Sequence, residues 1–478
     1  MSAIKRETYL LRLAFGLFVT TSLVCYLYAS ICARGLYADA GPELVVIYQR
    51  QWFFTSISGY RAVVEVLRQA PIVLLSKYTA ATLLQCGQVF TFVMLSVPML
   101  LLALCWPVAP QNNKAWILFP LAAFLIGFPP TAMNAVGESA IATFYFWILL
   151  FLILFRTKSV QQQAFFILIC IPAFWLHEGA FLLTLTLLLA LVLRVHAAAE
   201  TSSEWPFVAL ASLVLLSLFT YQIRGVIIPQ YPGDRAHIVY GLTHFEFAYA
   251  DHRLNLPIIT GVLAFLSLSA VCCARATMPS KRASGFTRII PIAWILVVLV
   301  AITAAIAIEA SFSPLAQAQS RYHPVFVSAA LAAIMILFRR FRIPHRIWNN
   351  PATILILISL CVAQAVSDVE ATRQWNVYIT DLKSTLTRER GLIPWETRLS
   401  VANRFANVDW PAFEIAWTIP FMCIIFAPGG IVNAMIDLPK DLTFRPLDPE
   451  RLDRLPKLAG IDYEPYKRFV TEEGNALR

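Results

Sequence analysis

Titratable side chains inside hydrophobic segments are the first candidates for chemistry in this sequence. In the stretch AFWLHEGAFLL, residues 173–183, a histidine and a glutamate are adjacent and have apolar or small neighbours on both sides. Burying such groups in a membrane costs free energy unless they contact water, a partner residue or a substrate. We therefore predict that His177 and Glu178 bind substrate.

Carboxylates also follow the first apolar segment, in the motif LYADAGPE, and begin a later one, in the motif GES. In catalysis, Asp39 or its neighbour Glu43 could act as a general base or as a metal ligand. Asp39 could instead cap the start of a helix, and both alternatives stay open. Glu138 is either a substrate-binding residue or a carboxylate that the helix dipole favours at a helix start.

Arginine and histidine occur together in two further polar motifs. Arg235 and His237 lie in YPGDRAHIVYGLTHFEFAYADHR, while Arg321 and His323 lie in QSRYHP directly before an apolar segment. Solvation alone would explain the first pair, and snorkelling at a membrane interface would explain the second. The alternative is that both pairs bind the phosphate or pyrophosphate group of a substrate.

The composition is that of a membrane protein. Of the 478 residues, 59% are hydrophobic and 14% are charged, whereas soluble domains carry about 25% charged residues. The net charge of +10 comes from basic residues in short loops between apolar runs, a pattern typical of cytoplasmic loops rather than of nucleic-acid binding. The nine cysteines lie in or beside apolar segments at no spacing that suits zinc, so we expect packing roles and no metal site.

Membrane spans need about 20 apolar residues each. Nine segments are candidates, namely 11–32, 84–107, 115–131, 138–155, 206–225, 256–273, 289–308, 324–338 and 352–368. The segment 164–193 is too long for one span, since a single helix would extend about 45 Å and a hydrocarbon core is about 30 Å thick. A hairpin of two short spans, with its bend near Pro172 and Gly179, is the alternative.

Charge favours the hairpin. It places the eight basic residues of the loops at 275–288 and 339–346 on the same side as Lys5 and Arg6, and leaves only three on the alternate loops. Because basic loops face the cytoplasm, we predict a cytoplasmic N-terminus. The histidine–glutamate pair then lies at the outer tip of the hairpin, and the other polar motifs lie on the same outer side.

We thus predict an all-α polytopic membrane protein with about 11–12 transmembrane helices and interfacial helices after the first span. The predicted parts are a transmembrane domain at 1–368 with amphipathic interfacial helices at 33–83 closed by Pro71, a helical extracytoplasmic segment at 369–412, a last span or re-entrant segment at 413–430 and a Pro-rich polar tail at 431–478. Within 369–412, Trp375, Tyr378 and Leu382 have the spacing of one helix face.

The order of short motifs resembles a group of bacterial multi-pass membrane proteins. The motifs are LYADAGPE, SGYRAVVEVLRQAPIVLLSK, GESA, WLHEGAFLL, SRYHP, GLIPWE, FEIAWTIPFMCIIFAPGG and FRPLDPERLDRLP. The layout is similar to that of the GT-C glycosyltransferases, which carry an acidic residue on the first extracytoplasmic loop before interfacial helices and many spans. The resemblance implies the bacterial inner membrane, sugar transfer from a polyprenyl-phosphate donor on the outer face, and Asp39 as the catalytic carboxylate.

Three function classes follow from these patterns. The favoured one is a glycosyltransferase of envelope glycan or polysaccharide synthesis, whose partners are membrane lipid and a lipid-linked substrate. A transporter or flippase for a lipid-linked solute is less favoured, because the spans are almost free of charge and show no internal repeat. The third class is a non-catalytic scaffold, in which the segment 369–412 and the tail dock other envelope-biosynthesis proteins. No cofactor is indicated by any motif.

Overall fold

The computed structural model of the protein describes most of the hydrophobic segments. The described residues are 3–36, 40–54, 59–111, 113–127, 138–156, 159–198, 205–227, 317–340, 351–393, 419–427, 429, 431–436 and 457–458. The predicted spans at 256–273 and 289–308 lie outside these residues. So do three candidate site residues, Asp39, Arg235 and His237.

Helices dominate the described residues. The α-helices are α1 (Ala3–Ile31), α2 (Ala40–Arg50), α3 (Ala62–Tyr78), α4 (Leu83–Val108), α5 (Leu118–Gly127), α6 (Glu138–Phe155), α7 (Val160–Cys170), α8 (Phe181–Ala198), α9 (Trp205–Ile227), α10 (Gln317–Arg340), α11 (Pro351–Arg388) and α12 (Ile419–Ile425). Short 3-10 helices occur at Arg34–Leu36, Gly59–Arg61, Lys114–Ile117, Pro172–Trp175 and Glu178–Ala180.

Four very short strands accompany the helices. They are β1 (Gly391–Ile393), β2 (Ile431–Val432), β3 (Ala434–Ile436) and β4 (Lys457–Leu458). β1 pairs with β3 and β2 with β4, both in parallel. Strands of two or three residues pair only locally and form no extended sheet within the described residues. The predicted all-α class is therefore confirmed.

Several described helices have the length and hydropathy of membrane spans. Four are long and apolar enough to cross a membrane, namely Tyr9–Ile31, Leu83–Val108, Trp205–Gly225 and Thr353–Arg388. Five more apolar helices are shorter, namely Lys114–Leu125, Ser139–Phe155, Val160–Trp175, Glu178–Val192 and Val327–Ile336. The protein is therefore a polytopic membrane protein, and the total of 11–12 spans stays a prediction.

The long apolar segment 164–193 is broken where the hairpin alternative requires it. α7 ends at Cys170, and two 3-10 helices precede the start of α8 at Phe181. Pro172 begins the first of them, and because proline has no backbone N–H it is suited to such a start. A single 30-residue helix is thus excluded. Which side of the membrane the break faces stays a prediction.

Two predicted boundaries differ from the structure. Pro71 does not close the interfacial helices, because α3 continues through it as far as Tyr78; the missing hydrogen bond of one proline is a smaller loss than ending an apolar helix early. α11 runs without a break across the predicted boundary at 368/369. Its 38 residues extend about 57 Å, well beyond a hydrocarbon core of about 30 Å.

The chain forms two compact units, and the residues of α1, α3, α4 and α11 are divided between them. Unit 1 contains Met1–Cys25, Ser56–Val64 and Ser96–Asp368. Unit 2 contains Tyr26–Thr55, Glu65–Leu95 and Val369–Arg478.

Unit 1 has an aromatic and aliphatic core in which α10 packs against α5, α6 and α8, and α8 packs against α6 and α9. The ring of Phe124 contacts Phe18 edge-on at 5.2 Å between centroids and Phe144 at 5.0 Å. The buried indole of Trp147 donates a 3.0 Å hydrogen bond from Nε1 to Ser328 Oγ. Aromatic contacts between helices that are far apart in sequence therefore hold this unit together.

Unit 2 is organised around the end of α1. Gln88 on α4 donates from Nε2 to the carbonyl of Ile31 at 3.0 Å. Trp375 on α11 donates from Nε1 to the carbonyl of Cys32 at 2.9 Å. Since a helix end leaves carbonyls without backbone partners, these two side chains fix the point from which the following loop starts.

Candidate functional site

The loop after α1 is anchored by the three residues of its 3-10 helix, all in unit 2. Arg34 is buried, and its Nη1 donates to Thr372 Oγ1 at 2.9 Å. The backbone N–H of Gly35 donates to Thr91 Oγ1 at 3.1 Å. Leu36 is fully buried. The chain is therefore fixed immediately before the predicted catalytic loop.

The far side of that loop is fixed as well. α2 begins at Ala40, which is fully buried, and a Cβ atom added at Gly41 would lie 3.2 Å from the carbonyl oxygen of Leu36. The two ends of the intervening three residues are thus adjacent. In the sequence, Asp39 directly precedes Ala40, the first residue of α2. Its two alternative roles, helix cap and catalytic base, both stay predictions.

Glu43 lies in the first turn of α2 and is bound by an arginine of α3. Arg68 donates from Nη2 to Glu43 Oε1 at 2.7 Å, and its guanidinium lies 5.8 Å from the centre of the Phe90 ring. The arginine side chain is completely buried. A carboxylate held by a buried arginine is a weak proton acceptor, so this geometry favours a positioning role for Glu43.

α2 itself is buried on nearly all sides. Its buried residues are Ala40, Gly41, Glu43, Leu44, Val45, Val46, Ile47 and Gln49. An amphipathic helix lying on a surface would expose one face along its length. The helix that carries Glu43 is therefore enclosed by unit 2.

A second carboxylate–arginine cluster lies in unit 1, at the break between α7 and α8. Arg61 donates from Nε to Glu178 Oε2 at 3.1 Å and from Nη2 to Glu178 Oε1. This two-point contact is the strongest geometry for an arginine and a carboxylate. The pair is largely buried, and the two side chains keep 18% and 12% exposure respectively.

His177 supports the same break. Its side chain is buried, and Nδ1 accepts a 2.9 Å hydrogen bond from the backbone N–H of Gly179. With Nδ1 acting as an acceptor, the 4.0 Å approach of this atom to Glu178 Oε2 is not a hydrogen bond. His177 thus acts as the cap of the 3-10 helix that presents Glu178.

Aromatic rings surround the Arg61–Glu178 pair. Tyr60 and Tyr221 lie 4.6 Å apart between ring centroids, and Phe174 lies 5.9 Å from Tyr221. A Cβ atom added at Gly225 would lie 2.9 Å from Glu178 Cβ and 3.2 Å from the Tyr60 ring. Rings beside a carboxylate and a guanidinium form a surface suited to a sugar or a phosphate group.

The remaining predicted residues are placed only in part. Glu138 is the first residue of α6, in agreement with the prediction that it opens a helix. Arg321 and His323 fall in the second turn of α10, so the QSRYHP motif is part of the helix rather than a loop before it. Their substrate-binding roles stay predictions. In the described part of the chain, no group of three or more His, Cys, Asp or Glu residues could hold a metal ion.

Four residues of the two clusters were missed at the sequence level, namely Tyr60, Arg61, Arg68 and Tyr221. The alternation of basic and apolar residues after the first span predicted an interfacial face, and its arginines were assigned to that face. The one available signal was their position in a polar stretch between apolar segments. Nothing local indicated which carboxylates they would meet.

The fold and these clusters define an all-α polytopic membrane protein with two buried or half-buried carboxylate–arginine pairs. The sequence matches no known protein family, and no curated protein or solved structure matches it.

Proposed function

We propose that this protein is a GT-C-like integral membrane glycosyltransferase of the bacterial inner membrane, with a cytoplasmic N-terminus. It transfers a sugar from a polyprenyl-phosphate-linked donor on the extracytoplasmic face, in envelope glycan or polysaccharide synthesis. The observation that carries the proposal is that the described residues on either side of the first loop, Leu36 and Ala40, are fully buried. In the sequence, Asp39 falls between them and directly precedes α2.

Glycosyl transfer needs a base held in one place. Asp39 takes the proton of the acceptor hydroxyl, whose oxygen attacks the anomeric carbon of the donor sugar. The bond from that carbon to the phosphate oxygen breaks, and the polyprenyl phosphate leaves with the electron pair. Buried residues on both sides of the loop, Leu36 and Ala40, support this role, because positioning of a catalytic group contributes directly to rate.

The two described clusters take supporting roles in this proposal. The Glu43–Arg68 pair holds the first turn of α2, the helix that follows Asp39 in the sequence. The Arg61–Glu178 pair, with the rings of Tyr60 and Tyr221, binds polar groups of the substrate. Arg61 donates to Glu178 from Nε and Nη2, which orients the carboxylate within this proposed binding surface.

The test is glycosyl transfer in proteoliposomes, with a panel of radiolabelled polyprenyl-phosphate-linked sugars and the wild-type protein as reference. Asp39→Asn keeps the size and capping ability of the side chain but removes the base, and we expect a loss of at least about 100-fold. Glu389→Gln, at an exposed carboxylate after α11, is the matched control and should retain transfer. Full activity of Asp39→Asn would remove this residue from the mechanism.

A scaffold function is the second candidate, and the length of α11 favours it. A helix that extends beyond a hydrocarbon core presents a surface to other envelope proteins. This alternative predicts that cells carrying Asp39→Asn make normal envelope glycan, whereas cells lacking the protein do not. A lipid-linked-solute transporter would instead show flux into proteoliposomes without a covalent product.

A further inference from the structure

Several helix ends meet in unit 1, and each brings a basic side chain. Arg156, the residue after α6, donates from Nε to the carbonyl of Val108 at 3.0 Å and from Nη2 to that of Pro107 at 2.9 Å. Lys114 donates from Nζ to the carbonyl of Trp106 at 2.6 Å. The ends of α4 and α6 and the segment before α5 are therefore neighbours.

The ends of α8 and α10 join the same group. Arg194, near the end of α8, donates from Nη1 to the carbonyl of Ile153 on α6 at 3.0 Å. Arg339, at the end of α10, lies with its guanidinium 4.6 Å from the centre of the Phe155 ring. We call this group the basic end, and it consists of Lys114, Arg156, Arg194 and Arg339. The shared position explains part of it, because cations are favoured at helix C-termini.

Helix dipoles do not balance the charge that is collected here. Each helix C-terminus carries about half a negative charge, spread over its last carbonyls. Lys114 is close enough to Arg156 and Arg12 for their charges to repel, and the same holds for Arg339 and Arg194. Within the part of the chain that the structure describes, Lys114, Arg156 and Arg339 form no ion pair with a carboxylate.

Arg339 is the residue best placed to meet an external anion. Arg339 is exposed, its guanidinium lies over the Phe155 ring, and it makes no hydrogen bond to any described residue. Its planar N–H donors have the arrangement that suits a phosphate. The ends of helices that cross a membrane lie at the depth of the lipid headgroups.

We propose that the basic end binds the phosphate of an anionic phospholipid in the adjoining leaflet. Arg339 contacts the phosphate directly, while Lys114, Arg156 and Arg194 supply a positive field around it. The acyl chains of the lipid would lie along the apolar helices that end here. Charge complementarity selects the occupant, because basic clusters between helix ends attract anionic headgroups over zwitterionic ones.

The test measures lipid retained by the detergent-purified full chain in native mass spectrometry. The probes are phosphatidylglycerol, which has a net negative charge, and phosphatidylcholine, which has a phosphate but no net charge. We expect the wild-type protein to retain phosphatidylglycerol preferentially. Arg339→Gln should lower that retention about fivefold, the order of effect of one basic residue near an anionic surface.

The matched control is Lys77→Gln in the last turn of α3. Lys77 is also a cation placed over aromatic rings, at 5.9 Å from Trp52 and 5.5 Å from Tyr78, but it belongs to unit 2. Unchanged retention in this variant shows that the loss depends on position and not on total charge. An equal loss in Lys77→Gln would overturn the proposal.

A second variant guards against simple unfolding. In Arg156→Gln the side-chain amide can still donate to the carbonyls at the end of α4, while the charge is lost; retention should fall and the melting temperature should change little. Equal retention of both lipids by the wild-type protein would overturn the proposal. So would displacement of phosphatidylglycerol by millimolar inorganic phosphate, since that result would indicate a site for a soluble anion.

Discussion

The two carboxylate–arginine pairs are similar in chemistry and different in surroundings. Glu43 and Arg68 join α2 to α3 across 25 residues through one 2.7 Å contact, and the arginine has no exposed surface. Glu178 and Arg61 join parts of the chain that are 117 residues apart through a two-point contact, and both side chains keep some exposure. The two carboxylates are about equally buried, and the difference lies in the arginines, since Arg68 is fully buried and Arg61 is 18% exposed. We call the first the enclosed pair and the second the accessible pair.

This difference separates a positioning role from a binding role. A fully buried arginine cannot exchange its carboxylate for a ligand without leaving a buried charge behind. A pair whose arginine keeps some exposure can share its donors with a ligand at lower cost, especially beside rings such as Tyr60 and Tyr221. Under the proposed function we therefore expect Glu43 and Arg68 to support the first loop, and Glu178 and Arg61 to contact the substrate.

The largest effect is expected from breaking the enclosed pair. Arg68→Met leaves the Glu43 carboxylate buried without its cation, and removing one partner of a buried pair costs about 3–5 kcal/mol. Thermal unfolding in detergent, followed by tryptophan fluorescence, should show a large fall in melting temperature or little folded protein. The double variant Glu43→Gln with Arg68→Met should recover part of the loss. A single variant as stable as the wild type would contradict the enclosed geometry.

Breaking the accessible pair should reduce stability less than breaking the enclosed pair does, and should weaken substrate binding more. For Arg61→Met we expect a stability loss on the order of 1–3 kcal/mol, between the values of exposed and buried pairs. In the transfer assay, KM should rise with a smaller change in kcat. Arg61→Lys keeps the charge but loses the two-point contact. Its stability and KM should therefore lie between those of the wild type and of Arg61→Met. A variant that loses stability as severely as Arg68→Met, with unchanged KM, would reverse the assignment.

Patterns of hydrophobicity predicted the helical elements of this protein, because such patterns depend only on residues close together in the sequence. The break within 164–193 followed from helix length against membrane thickness. The face formed by Trp375, Tyr378 and Leu382 followed from helical spacing, and all three side chains are buried. The end of α3 was predicted wrongly at Pro71, because proline was weighed as a helix breaker without the packing that the rest of the helix gains.

The partners of the candidate carboxylates could not be predicted in the same way. Arg68 follows the helical alternation that is typical of a surface helix, yet it is completely buried, because Glu43 compensates its charge. Arg61 meets Glu178 across 117 residues, and no local pattern encodes such a contact. Asp39 was identified from its position after the first span, and its role stays a prediction.

A pair of glycines tests how tightly each cluster is packed. Alanine improves helix propensity by about 1 kcal/mol in α9 at Gly225 and in α4 at Gly87 alike. At Gly225 the added Cβ meets Glu178 Cβ at 2.9 Å, an atom next to the backbone that cannot swing away. At Gly87 it meets Leu36 Cδ1 at 2.6 Å and Leu44 Cδ2 at 3.0 Å, the tips of flexible side chains.

We therefore expect Gly225→Ala to be destabilising by about 1–2 kcal/mol, and Gly87→Ala to be closer to neutral. Melting temperatures of the two variants, measured side by side, give the comparison. Gly225→Ala should also weaken substrate binding, because it displaces the residue that presents its carboxylate to Arg61. If Gly87→Ala were instead the less stable variant, Leu36 and Leu44 would be the side chains that cannot move to accommodate the added methyl group.

The smallest effect concerns the hydrogen bond beneath the first loop. Thr91 donates to the carbonyl of Gly87 at 2.9 Å and accepts from the N–H of Gly35 at 3.1 Å. Thr91→Val removes both contacts and leaves a buried N–H without its acceptor, at a cost of about 1 kcal/mol. Thr186→Val is the matched control, since Thr186 donates only to the carbonyl of Leu182 in its own helix.

The loss of activity should exceed what this small change in stability explains. Gly35 precedes the buried Leu36, so in the proposed mechanism a looser 3-10 helix shifts the point from which the loop with Asp39 starts. We expect kcat to fall severalfold in Thr91→Val with KM nearly unchanged, and Thr186→Val to behave as the wild type. Equal kcat in both variants would show that transfer tolerates movement of the loop, and the support given by unit 2 would then be structural alone.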